Sequence, residues 1–271
     1  WTLDGGALAS LPFLGSADAA AFKVAGFNDA NGDGTSDILW RGAGGEVYLW
    51  TLDGGAVTAT PFVGSADANY WAIAGFADAT GDAKADILWR SDGGEVFLWS
   101  LDGGTVLATP YVGAVDGAYW SVAGFADATG DNKADILWRG AGGEVYLWAQ
   151  DGATTTSMQF VGEVDAAYWT IAGFADATGD GKSDVLWRGA GGETYLWGLD
   201  GATVTGMQYI AAADPARFTV AGFADSTGDG KADILFRGTD GGTYLWGLDG
   251  ATVTGVSFIG AASASYWTVA P

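Results

Sequence analysis

The chain repeats itself every 49 residues, and that period narrows its possible folds more than any other feature. The motif G-F-[AN]-D centres on Phe27, Phe76, Phe125, Phe174 and Phe223, and Leu-Trp pairs end at Trp50, Trp99, Trp148, Trp197 and Trp246 with the same step. No insertion or deletion interrupts the five units, so the sequence offers no domain boundary or linker. A fixed period of this length marks one supersecondary unit stacked against its own copies. In the second unit, 70–76, 85–90, 94–101 and 105–112 alternate at period two and are rich in β-branched and aromatic residues, which predicts four strands. Asp-Gly turns at Asp4, Asp53, Asp102, Asp151, Asp200 and Asp249 join the third strand to the fourth. A four-stranded antiparallel unit at this spacing is a β-propeller blade. An open β-solenoid is the alternative.

The predicted fold is therefore all-β: one β-propeller domain over 1–271. Complete blades fall at about 22–64, 71–113, 120–162, 169–211 and 218–260, and 1–15 with 266–271 supply part of a sixth. Six full units would need 294 residues (six times 49), 23 more than the 271 present. Ring size therefore stays open, as does membership of a longer array or an oligomer. Small residues such as Ala72, Ala74 and Gly75 suit the first strand to the crowded axis.

Composition matters where it removes function classes. Forty-six glycines suggest low complexity, but 14 tryptophans, 13 phenylalanines and 10 tyrosines indicate a packed protein. A formal charge of −22 argues against nucleic acid and anionic membranes, whose phosphates call for Lys and Arg. No apolar run reaches the roughly 20 residues of a spanning helix. Without cysteine or histidine there is no disulfide, no Ser-His-Asp triad and no histidine-ligated zinc. The chain begins at Trp1 and reads as a mature chain or a fragment.

Each unit carries one acidic loop. Oxygen-bearing groups recur at alternate positions 1, 3, 5, 7 and 9: Asp29, Asn31, Asp33, Thr35, Asp37; Asp78, Thr80, Asp82, Lys84, Asp86; Asp127, Thr129, Asp131, Lys133, Asp135; Asp176, Thr178, Asp180, Lys182, Asp184; and Asp225, Thr227, Asp229, Lys231, Asp233. Position 7 would offer its backbone carbonyl. Ca²⁺ takes six to eight oxygens in irregular geometry, and three carboxylates close together without a cation would repel. The twelfth residue of the first loop is Trp40, where an EF-hand needs Glu, so these are strand–loop–strand sites. About five structural Ca²⁺ ions are expected, which would bring the charge to about −12. Position 6 is glycine in three loops but Ala83 and Asn132 in the second and third. If that position needs positive φ, the second site is the weakest.

These loops, followed by D-I-L-W-R and G-x-V-x-x-W, resemble the FG-GAP/VCBS-type repeats of integrin α-subunit propellers, of fungal and bacterial propeller lectins and of secreted bacterial surface proteins. The resemblance runs from end to end. It implies a propeller with Ca²⁺ between the first and second strands of each blade and an extracellular or cell-surface setting. It does not select a function, because the family includes adhesins, lectins and domains attached to enzymes.

The tryptophans of strands two and three (Trp40, Trp89, Trp138, Trp187, with Phe236 in the fifth unit) are expected in the core between blades. The pairs Tyr70-Trp71, Tyr119-Trp120 and Tyr168-Trp169 are candidate sugar-binding residues, since neighbours on a strand face opposite ways and one of each pair can remain near the surface; 266–267 repeats the pair. Arg41, Arg90, Arg139 and Arg188 each precede a glutamate by five residues, which predicts an ion pair across the hairpin or, alternatively, a clamp for sugar hydroxyls. The fifth unit has Phe218 without the Tyr-Trp pair, and Arg237 is followed by Thr243 with no glutamate five residues on, so a repeated pocket is degraded there. Nearly every acid has four equivalents, whereas a glycosidase site is normally unique, so the chain reads as non-catalytic. The expected function is a secreted, multivalent carbohydrate-binding or adhesion module whose partner is carbohydrate or an extracellular protein. A structural or protein-binding surface module and a non-catalytic accessory domain of a larger enzyme are the alternatives.

Overall fold

A computed structural model describes residues 2–4 and 6–263. The expected sixth inner strand at 266–271 lies outside the described residues. Among them every regular element is a strand, and five four-stranded antiparallel blades form a propeller. In the fourth blade the strands are Trp169–Ala175, Asp184–Gly189, Glu193–Asp200 and Thr203–Ala212, hydrogen-bonded in that order. Inner strands of consecutive blades are neighbours, as packing around an axis requires. No helix among the described residues is long and apolar enough to cross a membrane.

Proline refines the expected strand four. In the first two blades it splits, for example into Thr105–Ala108 and Tyr111–Ala114. Pro61 and Pro110 have no N–H to give the ladder, although their carbonyls still accept from Leu49 and Leu98. Gln159, Gln208 and Ser257 replace proline in the later blades, where strand four runs unbroken.

Alternation along the second and third strands gives each blade two unlike faces. Trp89 and Trp99 lie on one face of the second blade, their rings 4.9 Å apart, and Leu88 and Leu98 lie on the other. The aromatic face of one blade packs on the aliphatic face of the blade before it: Trp89 and Ile87 meet Leu39, Val47 and Leu49. Leu186, Leu196 and Phe236 repeat the arrangement three junctions later. Near the axis the inner strands of blades two to five each press a phenylalanine onto a glycine of the preceding blade. A Cβ on Gly26 would lie 2.8 Å from that of Phe76, and Gly75, Gly124 and Gly173 meet Phe125, Phe174 and Phe223 in the same way. Only glycine permits that approach.

The amino-terminal hairpin, Thr2–Asp4 with Ala7–Ser10, occupies the outer part of a sixth position. On one side Gly6 sits against Leu245 and Thr227 of blade five; on the other Gly15 sits against the Trp50 ring of blade one. It thereby reproduces the contact that Gly64 makes with Trp99.

Candidate functional site: an acidic rim and an aromatic cleft

The antiparallel order places two kinds of loop on opposite rims of the ring. The acidic loops and the Asp-Gly turns share one rim. The hairpins between strands two and three, and the segments entering each new blade, share the other.

On the acidic rim the carboxylates hold backbone. The first aspartate curls the loop: Asp127 Oδ1 accepts from the amides of Thr129 (3.0 Å) and Gly130 (2.7 Å), and its Oδ2 from Asn132 (2.7 Å). Asp131 accepts from Lys133 N at 3.0 Å. The ninth-position aspartate is fully buried and spends both oxygens inside its blade. Asp135 Oδ2 accepts from Ala128 N and Oδ1 from Gln150 N, each at 2.9 Å. Asp37, Asp86, Asp184 and Asp233 repeat this tie. Burial raises the Asp37, Asp86, Asp135 and Asp184 carboxyls, with smaller upward contributions from the other loop aspartates and opposition from the two amides; Asp86 reaches about 6. Sequence reasoning missed this role, although an aspartate opening a buried strand was its signal.

The same rim links the blades. The position-1 carbonyl of each of the first four loops accepts from the position-8 amide of the next, as in Ala85 N to Asp29 O at 2.7 Å. The position-2 carbonyl accepts from the next blade's turn glycine, Gly103 N to Ala30 O at 2.9 Å. Lys84, Lys133 and Lys182 pair with Asp102, Asp151 and Asp200 of their own blade's turn at 2.5–2.6 Å, and Lys231 pairs with Asp249. The turn aspartates, expected only to shape turns, thus also receive ammonium groups. Position 6 does require a left-handed backbone: φ is +65° at Ala83 and +62° at Asn132.

A cation can be judged against this donor set. It is all oxygen, carboxylate-rich and set at alternate positions, the chemistry a hard divalent ion takes. The lysine side chains turn to the Asp-Gly turns. Among the described residues no three acidic side chains are gathered around one point; the loop carboxylates face backbone amides.

On the opposite rim the expected Arg–Glu ion pairs do not form among the described residues. Each arginine turns instead to backbone and to the next blade. Arg139 donates to the carbonyls of Gly143 and Val164 (2.9 Å for the latter), and its guanidinium lies 4.9 Å from the Trp187 ring centre. Arg41 and Arg90 cover Trp89 and Trp138 in the same manner, and Arg188 covers Phe236. In blades two to four the glutamate is engaged by a tyrosine instead. Tyr119 Oη donates to Glu144 Oε1 at 2.7 Å, and Tyr70 and Tyr168 bond Glu95 and Glu193 likewise.

The Tyr-Trp pairs divide as strand geometry requires. Tyr70, Tyr119 and Tyr168 are 37–39% exposed, while Trp71, Trp120 and Trp169 are partly buried. Trp120 sits edge-on to Tyr119 (5.2 Å between centroids) and to Tyr146 (5.4 Å), and Tyr146 meets Phe160. Between blades three and four an open cleft of about 550 Å³ is lined by Tyr119, Trp120, Arg139, Trp169 and Thr170. It brings together three of the six sugar-site candidates, Tyr119, Trp120 and Trp169, and leaves Tyr70, Trp71 and Tyr168 outside its walls. Trp89, Trp138 and Trp187 are core, as expected, with exposures of 2% or less. In blade five Arg237 donates to Thr243 Oγ1 at 2.9 Å and Arg217 lies over Phe218, so the Tyr–Glu bond has no counterpart there.

Known proteins place this architecture. Residues 29–89 match the FG-GAP-like repeat family. Among curated proteins no sequence is significantly similar. A lectin from Agrocybe aegerita, described by its specific recognition of non-reducing terminal N-acetylglucosamine, superposes with a TM-score of 0.64 at 21% identity over 90% of this chain and 67% of its own. A chain of a nidogen/laminin complex superposes at 0.54 with 11% identity, covering 87% of this chain and 80% of that one. Both likenesses concern the fold. Residues 29–89 thus carry a match to the FG-GAP-like repeat family, and the same motif recurs at every 49-residue step of a five-bladed β-propeller.

Proposed function

We propose that the protein is a secreted, non-catalytic propeller that binds carbohydrate at repeated clefts between blades and is stabilised by calcium. The observation that carries this reading is the cleft between blades three and four. Its volume lies within the range of small-molecule sites, and its walls offer aromatic surface for the C–H face of a sugar ring beside hydroxyl and guanidinium donors for its hydroxyls. The Tyr–Glu bonds hold the tyrosines in place. The likeness to a lectin fold supports the same class of ligand. Repetition around a rigid ring would convert weak single sites into avidity.

Calcium in this reading is a staple. The carbonyl of position 7 and the oxygens of positions 1, 3, 5 and 9 of each loop would hold it, Asp127, Thr129, Asp131, Lys133 and Asp135 in the third. The ion would supply positive charge to loop carboxylates that otherwise rest on backbone amides. At free Ca²⁺ about 100 times Kd each independent site adds roughly 2.7 kcal/mol. Extracellular calcium modules often work near 10⁻⁴–10⁻³ M, which matches an extracellular setting.

A glycan array probed in about 2 mM Ca²⁺, and again with chelator, tests the reading. Binding to a defined terminal sugar that is lost in Trp120→Ala and Trp169→Ala supports it. A blank array with demonstrably folded protein rejects it. A second reading, adhesion to protein, is favoured by a separate observation. Phe62, Tyr111, Phe160, Tyr209 and Phe258, one on each blade's outer strand, and Phe13 at the equivalent position after the amino-terminal hairpin recur at 49-residue spacing and are 52–81% exposed. Large exposed apolar groups in a series mark interaction surfaces.

A further inference from the structure

The junction between blades five and one differs from the four others in every contact that the others share. Where blade follows blade, the strand-two aromatic is sealed: Trp89, Trp138, Trp187 and Phe236 are at most 2% exposed beneath the preceding arginine. Trp40, their equivalent in blade one, is only partly buried and borders a cavity of about 400 Å³ with Phe22, Tyr48, Trp50, Asp18 and Thr60. Phe27 is 55% exposed, whereas Phe76, Phe125, Phe174 and Phe223 are partly buried against a glycine. On the blade-five side, Leu235 is partly buried where Leu39, Leu88, Leu137 and Leu186 are at most 1% exposed. Gly222, equivalent to the glycines that receive a phenylalanine, meets only its own blade's Leu235 among the described residues. Among the described residues the amino-terminal hairpin covers the outer part of this gap and none covers the part nearer the axis.

We infer that this gap is an acceptor site for one further segment of the same repeat, running from the end of a first strand through a third strand. The occupant's chemistry is read from the intact junctions, because the two walls are the two halves of an interface already formed four times. Gly222 calls for a phenylalanine; Leu235 calls for a strand-two tryptophan; Trp40 calls for an arginine and a leucine. Residues 75–98 hold all four groups in the required order, as Phe76, Leu88, Trp89 and Arg90. The site is independent of the sugar cleft, which lies between blades three and four.

A synthetic peptide with the sequence of residues 75–98 tests this when added to the purified chain. It is expected to bind one to one, to raise the melting temperature, and to slow hydrogen exchange in 22–41 and 218–238 while leaving 120–140 unchanged. Replacing its Phe76 and Arg90 equivalents by alanine should weaken binding at least tenfold, and Gly222→Val in the receptor should do the same by filling the recess. As a second measurement that does not depend on peptide solubility, the same 24 residues placed directly before Trp1 continue the repeat in register. The extended chain should melt higher and protect the same two stretches. No rise in melting temperature in the extended chain, binding indifferent to Gly222→Val, or a dimer of the chain that already protects both stretches would each overturn the inference.

Discussion

The two rims of the ring are built from the same repeat and use it differently. On the acidic rim the contacts between blades run through backbone carbonyls and amides, and they recur at each step even where position 6 changes from glycine to Ala83 or Asn132. On the opposite rim the contacts run through side chains, and blade five departs from the pattern where Gly242 stands in place of the glutamate and Arg217-Phe218 in place of the Tyr-Trp pair. Backbone stitching tolerates sequence drift, whereas side-chain surfaces record it. The contrast gives the first rim the task of holding the ring and, under the proposed function, leaves the second for recognition.

The largest effect that could break this assignment is in the wedge between blades. Trp138→Ala is expected to cost about 3–5 kcal/mol in denaturant unfolding, because a fully buried ring leaves a cavity; Trp120→Ala, on the recognition rim, should unfold much closer to the parent. Next comes Asp135→Ala, which orphans the amides of Ala128 and Gln150 at roughly 1–3 kcal/mol each. An unfolding midpoint unchanged from the parent would remove the ninth aspartate from the scaffold. For binding the order reverses: Trp120→Ala should lower affinity for any sugar found on the array at least tenfold, and Asp135→Asn should matter only through stability.

A pH series sharpens the same contrast. The buried loop aspartates have raised carboxyls, so the folded chain holds protons more tightly than the unfolded one, and their contribution is fully present below the unfolded value near 3.8. It is lost as pH rises, for Asp86 through about 6. In chelator, that contribution makes melting temperature fall across this window, and millimolar Ca²⁺ should oppose the fall by favouring the ionised form. Identical pH profiles with and without calcium would remove the ion from these loops. The smallest expected effect is Ala83→Gly, a gain of roughly 1 kcal/mol from relieving a left-handed alanine, read as a higher urea midpoint.

How much of this was legible beforehand depended on whether a residue's partner lay within its own unit. Periodicity, Asp-Gly turns and strand alternation are local, and they led to the blade and its core tryptophans. The arginines were assigned to the nearest acid because sequence shows Glu144 five residues after Arg139 but cannot show Trp187 arriving from the next blade. The glycine beneath each inner phenylalanine belongs to a different unit from its partner and was invisible for the same reason. The cleft needed two blades side by side: Trp120 and Trp169 were both nominated, yet only the fold makes them walls of one cavity.

The unlike faces of each blade have one more consequence. Because an aromatic surface meets an aliphatic one at every junction, the stack has a head and a tail, and each junction is heterologous. Any array of these blades that stops short of closing presents one sticky end of each kind. Such ends are complementary to each other and unable to self-pair, so an open arc has two fates: curl until its own ends meet, or elongate by adding other arcs in a single direction.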